Sequence, residues 1–507
     1  MFGLSFESAA AVEAAHPARA DIALFVGWTT RRASAKLPRP VAEWLHARRH
    51  LAQDAFATDA WQDDALLNLP LPIDSWAVFE TLFDWHARPV GGSAGERCDD
   101  YLGLALRAFF ANGGRKAYVL RLGDPWPVTP QVSGSEREAR LAQLLPPAGS
   151  SSWQRESWRG IETAWALDDV SLVLVPDLPE LFGDQRTIIE GDEAQSPPVP
   201  EVFVECADTL LGADAVGGVQ RIRAPRSGDV GYGEWNATVR ALRDRLAQRR
   251  RDLMLLLATP LPAVDSSAAR RLADTVTLRS SMVQLATPWL RPTHAARTPE
   301  GLLPADGVLA GLVAAGVLSR GAARTVAGAA PTGVSAVFPQ PADEELRTPN
   351  PQREARALVS RFSLFAPTHD GVRLLSDLSC SAIDAWRHAG VVRLLGQLLR
   401  TARQVGETLV FEPSGEALWT RVRSRFEDML TRYWQAGALR GASAAEAFSV
   451  RCDRSVMSQN DLDNGRVIVL VSFTPQLSIE RLRVTLALAE DGSVSLADAA
   501  ELDEVTP

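Results

Sequence analysis

Residues 105–122 read ALRAFFANGGRKAYVLRL, and the order of elements within this stretch decides the fold class. An apolar helical segment comes first, a turn follows, and an apolar strand beginning at Ala117 comes last. A phosphate-binding loop needs the opposite order, because the anion binds the free N–H groups at the start of a helix. The turn is therefore predicted to end a helix in a left-handed conformation and to lead into a core strand. Its residues are Asn112, Gly113 and Gly114.

Helices and short apolar strands alternate on both sides of this turn. Helical segments are predicted at 74–83, 101–110, 158–165 and 234–251. Strands are predicted at 21–27, 117–122, 171–175 and 253–258. Short apolar strands that follow helices are typical of a largely parallel sheet covered on both faces. An α/β domain is therefore expected over 99–345, with a surface loop insertion at 183–232, where Gly, Pro and Asp are frequent.

The segment before this domain is predicted to be a helical insertion and connection, over 28–98. Residues 44–63 are mixed in pattern and are interpreted as helical. The helix at 74–83 has an N-cap candidate in Asp74 or Ser75, with Trp76 and Phe79 on its apolar face.

The pattern changes after residue 349. Helices are predicted at 393–405 and 414–436, and the second is ended by Gly437 and Gly441. Three strands follow, at 447–453, 466–475 and 479–488. Helices followed by strands predict an α+β domain over 350–490. The fold class is thus α/β plus α+β, and an acidic tail follows at 491–507.

Composition limits the classes of function. The 507 residues have a net charge of -9, so broad nucleic-acid binding is not expected. The sequence has no apolar run of about 18 uncharged residues and no secretory leader pattern, so we expect a protein made in the cytosol without membrane anchoring. The four cysteines are widely spaced and are interpreted as reduced thiols, with no zinc site or cofactor expected. They are Cys98, Cys206, Cys380 and Cys452.

Candidate catalytic and binding motifs are weak. Gly91–Gly95 matches GxSxG, which would make Ser93 the nucleophile of an α/β hydrolase, but the preceding residues 85–90 form a poor core strand. His46 and His50 have helical i, i+4 spacing without the glutamate of a zinc protease helix. The arginines over 240–251 are interpreted as a solvated or partner-facing helix face. No active site is predicted, and no enzyme activity is expected.

Both ends of the chain point to assembly. Phe2, Leu4 and Phe6 alternate with small or polar residues, which predicts a strand with one apolar face and makes 1–27 an N-terminal arm plus first strand. Residues 484–507 contain six acidic residues and no basic ones.

Several segments, in order, resemble contractile tail sheath proteins of myophages, tailocins and extracellular contractile injection systems. They are PIDSWAVFETLF at 72–83, FFANGG at 109–114, WALDDVSLVLVPD at 165–177 and the block 411–473. The resemblance implies that 99–345 is a subtilisin-like domain without a protease site, and that 350–490 lies inward against a tail tube. It also implies assembly or structural roles for Phe411, Glu412, Pro413, Trp419, Trp434, Gly437 and Gly441.

The function implied is that of a structural subunit that polymerises helically around an inner tube and contracts. Its expected partners are copies of itself, the inner tube protein, and baseplate and terminal cap proteins. Strand donation between subunits would use Phe2–Ser8 and a strand near 484–494, while Arg115 and Lys116 are candidates for subunit contacts. Assembly is expected in the cytosol, as part of a phage tail or injection particle. The alternatives are a serine hydrolase using Ser93 and an α/β nucleotide-binding protein.

Overall fold

The computed structural model describes most of the chain. The described residues are 19–33, 35–48, 66–91, 95–129, 132–147, 157–183, 218–263, 276–341, 358–409, 415–476, 482–489 and 494–496.

The strands are β1 (Ala23–Trp28), β2 (Pro70–Ile73), β3 (Arg88–Pro89), β4 (Arg97–Cys98), β5 (Ala117–Gly123), β6 (Leu172–Leu174), β7 (Arg226–Ser227), β8 (Met254–Ala258), β9 (Leu261–Pro262), β10 (Val283–Thr287), β11 (Trp289–Pro292), β12 (Val334–Phe338), β13 (Ser363–Thr368), β14 (Gly371–Leu374), β15 (Phe448–Arg451), β16 (Val467–Phe473), β17 (Leu482–Leu488) and β18 (Val494–Leu496). The α-helices are α1 (Arg39–Ala47), α2 (Trp76–Leu82), α3 (Tyr101–Ala111), α4 (Gly134–Leu144), α5 (Leu178–Leu181), α6 (Asp229–Ala247), α7 (Asp306–Arg320), α8 (Asp384–Arg387), α9 (Ala389–Leu409), α10 (Glu416–Gln435), α11 (Ala444–Ala447) and α12 (Gln459–Asp463). Short 3-10 helices lie at Gly160–Ala166, Pro299–Gly301 and Leu358–Ser360.

The larger sheet has eight strands in the order β14-β13-β10-β8-β6-β1-β5-β2. The six strands from β13 to β5 run parallel, and β14 and β2 pair antiparallel at the two edges. This confirms the predicted parallel-rich α/β sheet. The short apolar strands suit such a sheet because both of their faces are buried.

Alternate residues of β1 supply the cores on the two faces of the sheet. Phe25 packs with α2, α3 and α7 on one face, where its ring meets that of Phe109 edge-on at 5.5 Å. Leu24 and Val26 point to the other face, where α5, α6 and the Gly160–Ala166 helix cover the sheet. The period of two along a strand explains how one short segment serves both layers.

The C-terminal strands form a separate antiparallel sheet in the order β15-β16-β17-β18. Strand β16 is buried on one face, beneath α9 and α10, through Val467, Val469 and Val471. The residues between them are half-buried. This confirms the predicted α+β domain, together with its two long helices and the three predicted strands. Val494–Leu496 adds a fourth strand, so the first part of the predicted acidic tail belongs to the sheet.

Several predicted boundaries differ in the structure. The helix predicted at 234–251 is α6, which begins at Asp229 and ends at Ala247. Its N-cap, Gly228, lies within the predicted insertion. The segment at 158–165 is a 3-10 helix, Gly160–Ala166. Of the predicted helix at 44–63, only the part within α1 and Arg48 is described, and 49–65 lies outside the described residues.

The prediction of a surface insertion at 183–232 is wrong for its described part. Val219, Ala224 and Tyr232 are buried, and Val219 packs with Val90 and Val128 in a small apolar cluster. Gly, Pro and Asp indicate the absence of regular structure, and they say little about burial. Residues 184–217 lie outside the described residues.

The large sheet also crosses the predicted domain limits. Strands β1 and β2 precede residue 99, and β13 and β14 follow residue 350, yet all four belong to the same sheet. Local patterns identify strands but not their non-local pairing, which places these four strands with the α/β domain.

None of the described helices is both long enough and apolar enough to cross a membrane. Cys98, Cys380 and Cys452 are buried free thiols, as predicted, and Cys206 lies outside the described residues.

Candidate functional site at the junction of the two domains

Helix α9 joins the two domains through opposite faces. Leu394, Leu398 and Ala402 pack into the core of the C-terminal sheet. Arg393 and Arg400, seven residues apart, lie on another face of the helix, where they are buried against the α/β domain. A seven-residue step is close to two helical turns, so the two arginines point the same way.

The first contact of this face is with Asp252, directly before β8. Its carboxylate accepts two hydrogen bonds from Arg250, both at 2.9 Å, and one from Arg403 at 2.8 Å. Arg400 donates to the backbone oxygen of Asp252 at 3.1 Å. Burial alone would raise the pKa of Asp252, but the nearby guanidinium groups outweigh it and hold the pKa well below its usual range.

The second contact is with Asp377, after β14. Arg393 donates to both of its carboxylate oxygens, at 3.1 and 2.8 Å. Gln284 of β10 and the backbone N–H of Val326 donate to the same carboxylate, at 2.9 and 3.0 Å. Burial opposes ionisation here too, yet the Arg393 charge and these hydrogen bonds lower the pKa of Asp377. Arg393 also donates to the backbone oxygen of Ala322, at 3.1 Å.

A glycine lets α9 approach this closely. A Cβ atom on Gly396 would lie 2.8 Å from the backbone oxygen of Asp252. The helix therefore rests directly on the segment that enters β8. Together, Asp252 and Asp377 fix α9 to the α/β domain at two points.

The carboxyl ends of the parallel strands, where open α/β sheets commonly bind ligands, hold a second group of buried charges. Arg88 and Glu180 form an ion pair at 2.7 Å, with both side chains 1% exposed. Asp100 accepts from the Thr29 hydroxyl at 2.7 Å and from the Gly103 N–H at 2.6 Å, and burial raises its pKa to about 7. These contacts lie within the chain and are buried, so they explain local structure rather than substrate binding.

Among the described residues at that edge, we find neither a reactive thiol nor a metal site. Burial raises the pKa of the Cys98 thiol to about 12, which disfavours the reactive thiolate. No group of three or more potential metal ligands occurs in the described part of the chain. Ser93, the predicted alternative nucleophile, lies outside the described residues, as do Phe2, Leu4, Phe6, Phe411, Glu412 and Pro413.

The Asn112–Gly114 turn is a joint, as the element order predicted. Gly113 has φ of 102°, and Asn112 caps α3. The Asn112 side chain also accepts a hydrogen bond from the Thr332 N–H at 2.7 Å, which ties the turn to the segment before β12. Of the two basic residues after the turn, Arg115 is exposed, whereas Lys116 forms an ion pair with Asp169 at 3.0 Å.

Three of the described C-terminal candidates lie at or beyond the end of α10, and Trp419 lies in its first turn. Trp434 donates from its ring nitrogen to the Gly441 backbone oxygen at 3.0 Å. Gly437 has φ of 69° and lies against Arg324 of the α/β domain, and Trp419 is half-buried on α10. Gly437 thus lies in the left-handed region directly after α10, and the Trp434–Gly441 hydrogen bond connects the following loop to the last turn of the helix.

The arginines over 240–251 do not form one solvated face. Arg250 is 2% exposed and donates to the backbone oxygens of Ala164, Leu167 and Val170, and Arg245 forms an ion pair with Glu162. The interpretation as a solvated face is therefore wrong for these two residues. Their partners come from a distant segment, which the local charge pattern does not show.

The junction on α9 was missed from the sequence, although a signal was present. Within 393–405, the apolar positions are interrupted at helical spacing by Arg393, Arg400 and Arg403. A long helix with an apolar face and a regular line of arginines indicates two different partners.

Comparisons with known proteins agree with this architecture. Residues 382–489 match the family model of the phage tail sheath C-terminal domain. No curated protein sequence matches the chain. The chain is similar in structure to a protein of the anti-feeding prophage (AFP) baseplate in its contracted state, with 18% identity, coverage of 94% of this chain and 95% of the other, and a TM-score of 0.55.

Two sheath structures give similar results. For the sheath complex of the extracellular contractile injection system PVC, in its contracted state, identity is 17%, coverage is 95% and 96%, and the TM-score is 0.52. For the contracted AFP helical sheath, identity is 19%, coverage is 93% and 95%, and the TM-score is 0.51. At such identities the likeness shows a common fold along nearly the whole chain. Residues 382–489 thus match a phage tail sheath C-terminal domain, and the chain as a whole shares its fold with contractile sheath proteins.

Proposed function

We propose that this chain is a structural subunit of a contractile sheath, which polymerises helically around an inner tube and contracts to drive that tube through a target envelope. The observation that supports this most is the combination of a sheath C-terminal domain at 382–489 with a fold shared with sheath proteins over more than nine-tenths of the chain.

The α9 junction fits this function physically. Subunits of an open helical assembly must rotate past their neighbours while each remains intact. Two buried carboxylates, Asp252 and Asp377, hold α9 against the α/β domain, and the apolar face of the same helix lies in the C-terminal core. The two domains would then move together, with energy from new contacts between subunits and none from nucleotide.

Links between subunits are proposed to use strand donation. Among the described strands, β15 and β18 are the edges of the C-terminal sheet, since β16 and β17 each have two partners in it. Leu482–Leu488 therefore acts as an internal strand. A strand donated by another subunit would instead pair with β18. The strand of Phe2–Ser8 is the proposed donor, because its residues alternate between apolar and polar.

The remaining assignments are part of the same proposal. The eight-stranded sheet would be an inert subtilisin-like domain, consistent with its mostly parallel strands and buried carboxylates. The inner tube, baseplate and terminal cap proteins would be its partners, with cytosolic assembly and without enzyme activity, nucleic acid or membrane anchoring. The turn at 112–114 and the C-terminal residues Trp419, Trp434, Gly437 and Gly441 would maintain the subunit's shape, and Phe411, Glu412 and Pro413 would take part in assembly.

Electron microscopy of the purified chain, alone and with its tube protein, tests the proposal. Hollow cylinders with helical ridges are the expected result, and a monodisperse particle under all conditions would contradict it. Deleting residues 1–10 should prevent cylinder formation while circular dichroism remains unchanged. Intact cylinders after this deletion would remove the strand-donation assignment without affecting the sheath assignment.

A further inference from the structure

A cavity of about 250 Å³ lies at the amino ends of two parallel strands of the large sheet. Its walls come from residues 276–279, before β10, from residues 360–362, before β13, and from residues 379–387, which lead into α8. The cavity is thus at the sheet edge opposite to the buried charges of Arg88, Glu180 and Asp100.

Basic side chains predominate among the described residues that line the cavity. These residues include Arg279, Arg361 and Arg387, and none of them is a carboxylate. Asp384, which is exposed on α8, pairs with Arg387 and offsets part of this charge. Burial raises the pKa of the lining thiol of Cys380 to about 12, so the thiol adds no negative charge near neutral pH.

Two contacts fix the position of Arg361. Arg361 donates to the backbone oxygen of Val276 at 2.7 Å, and its guanidinium lies 5.5 Å from the centre of the Phe362 ring. The hydroxyls of Ser379 and Ser381 fix the loop that forms the opposite wall, by donating to Trp386 and Ile383 backbone oxygens at 2.8 and 3.4 Å. A cavity with fixed guanidinium groups is suited to an oxyanion, because guanidinium and carboxylate groups form paired, charge-assisted hydrogen bonds.

We propose that this cavity is a binding site for carboxylate side chains, supplied by the acidic segment 497–507 of this chain. The segment ADAAELDEVTP has acidic residues at Asp498, Glu501, Asp503 and Glu504 and no basic residue, so its charge is opposite to that of the cavity. It follows β18, and eleven residues can extend by up to about 38 Å. The proposal does not depend on the sheath function.

Peptide binding to the full-length chain tests this site. The acceptor is a variant in which Asp498, Glu501, Asp503 and Glu504 are changed to Asn or Gln, so that its own segment does not compete. A fluorescein-labelled peptide of sequence 497–507 should bind it saturably in an anisotropy titration. Binding should weaken about tenfold or more in R361Q/R387Q and with a peptide whose acids are neutralised, and it should weaken further with salt.

Two further variants keep the test decisive if R361Q/R387Q fails to fold. Arg279→Glu changes an exposed residue on the rim and should also weaken binding, whereas Arg291→Gln, exposed on β11 and outside the cavity lining, should leave it unchanged. Absence of peptide binding, or equal binding to the Arg279→Glu and Arg291→Gln variants, would overturn the proposal. Saturation by inorganic phosphate that the peptide cannot displace would likewise exclude 497–507 as the occupant.

Discussion

The Asp377 carboxylate accepts hydrogen bonds from both terminal nitrogens of Arg393, at 3.1 and 2.8 Å. This buried ion pair joins the last loop of the α/β domain to the beginning of helix α9. Neither side chain is more than 2% exposed. Removing one partner of such a pair leaves the other charge buried without compensation, which destabilises much more than the pair itself stabilises.

We therefore expect Asp377→Asn to lower the free energy of unfolding by about 3–5 kcal/mol. The double variant Asp377→Leu/Arg393→Met should recover much of that loss, since neither charge is then buried. Urea unfolding of the unassembled chain measures both. Glu43→Gln, which breaks the exposed Arg39–Glu43 pair, is the control and should change stability by less than about 0.5 kcal/mol. A single and a double variant of equal stability would argue against the charge explanation.

A second expectation concerns the attachment of α9 at Asp252. In Asp252→Asn, the positive charges of Arg250, Arg400 and Arg403 would face each other without the carboxylate that now neutralises them. Hydrogen exchange should then increase along 389–409 and in the segment before β8. Exchange in 467–473, at the centre of the other sheet, should change little. Unchanged protection in α9 would mean that Asp252 does not hold the junction.

The crossing of α3 and α7 depends on glycine. A Cβ atom on Gly311 would lie 2.6 Å from the backbone oxygen of Phe109, closer than real Cβ contacts allow. Gly311→Ala should therefore destabilise the chain by about 1–3 kcal/mol through overpacking, measured by thermal or urea unfolding. Gly134→Ala is the matched control in α4, where nothing lies within 4 Å. It should be neutral or stabilising by up to about 1 kcal/mol, and a similar loss in both variants would refute the packing argument.

Stability should depend on pH through Asp306, which is fully buried at the start of α7. Burial raises its pKa to about 7. Within the described part of the chain, only one of its carboxylate oxygens has a hydrogen-bond partner, the Gly307 N–H at 2.9 Å. Between about pH 4 and pH 7, Asp306 therefore keeps a proton in the folded chain that it has lost in the unfolded chain. The Asp306 contribution to the free energy of unfolding therefore falls as pH rises from about 4 to 7.

Asp306→Asn has no such titration. Relative to the unchanged chain, it should gain about 1–3 kcal/mol between pH 5 and pH 8. Urea unfolding at several pH values measures this difference. The exposed substitution Asp74→Asn should show an effect within about 0.5 kcal/mol at every pH. A difference between Asp306→Asn and the unchanged chain that does not vary with pH would show that Asp306 ionises normally when folded.

Local sequence patterns were sufficient for the elements and for the order of the two domains. The helix–glycine–strand order at 105–122 predicted the joint at Asn112–Gly114, and the apolar spacing of α10 predicted its length to within two residues at each end. Such features depend on neighbours in the chain, because helix capping and apolar periodicity act over a few residues.

Only the tertiary structure decided which distant residues meet. It placed β13 and β14 in the large sheet, buried Arg250 beneath Ala164–Val170, and brought Arg393 to Asp377 and Arg403 to Asp252. An arginine can be a solvated charge on one helix and a buried partner of a carboxylate on another. Its neighbours in the sequence do not distinguish the two cases. The difference lies in the desolvation cost and the carboxylate that offsets it, both of which arise only when remote segments pack together.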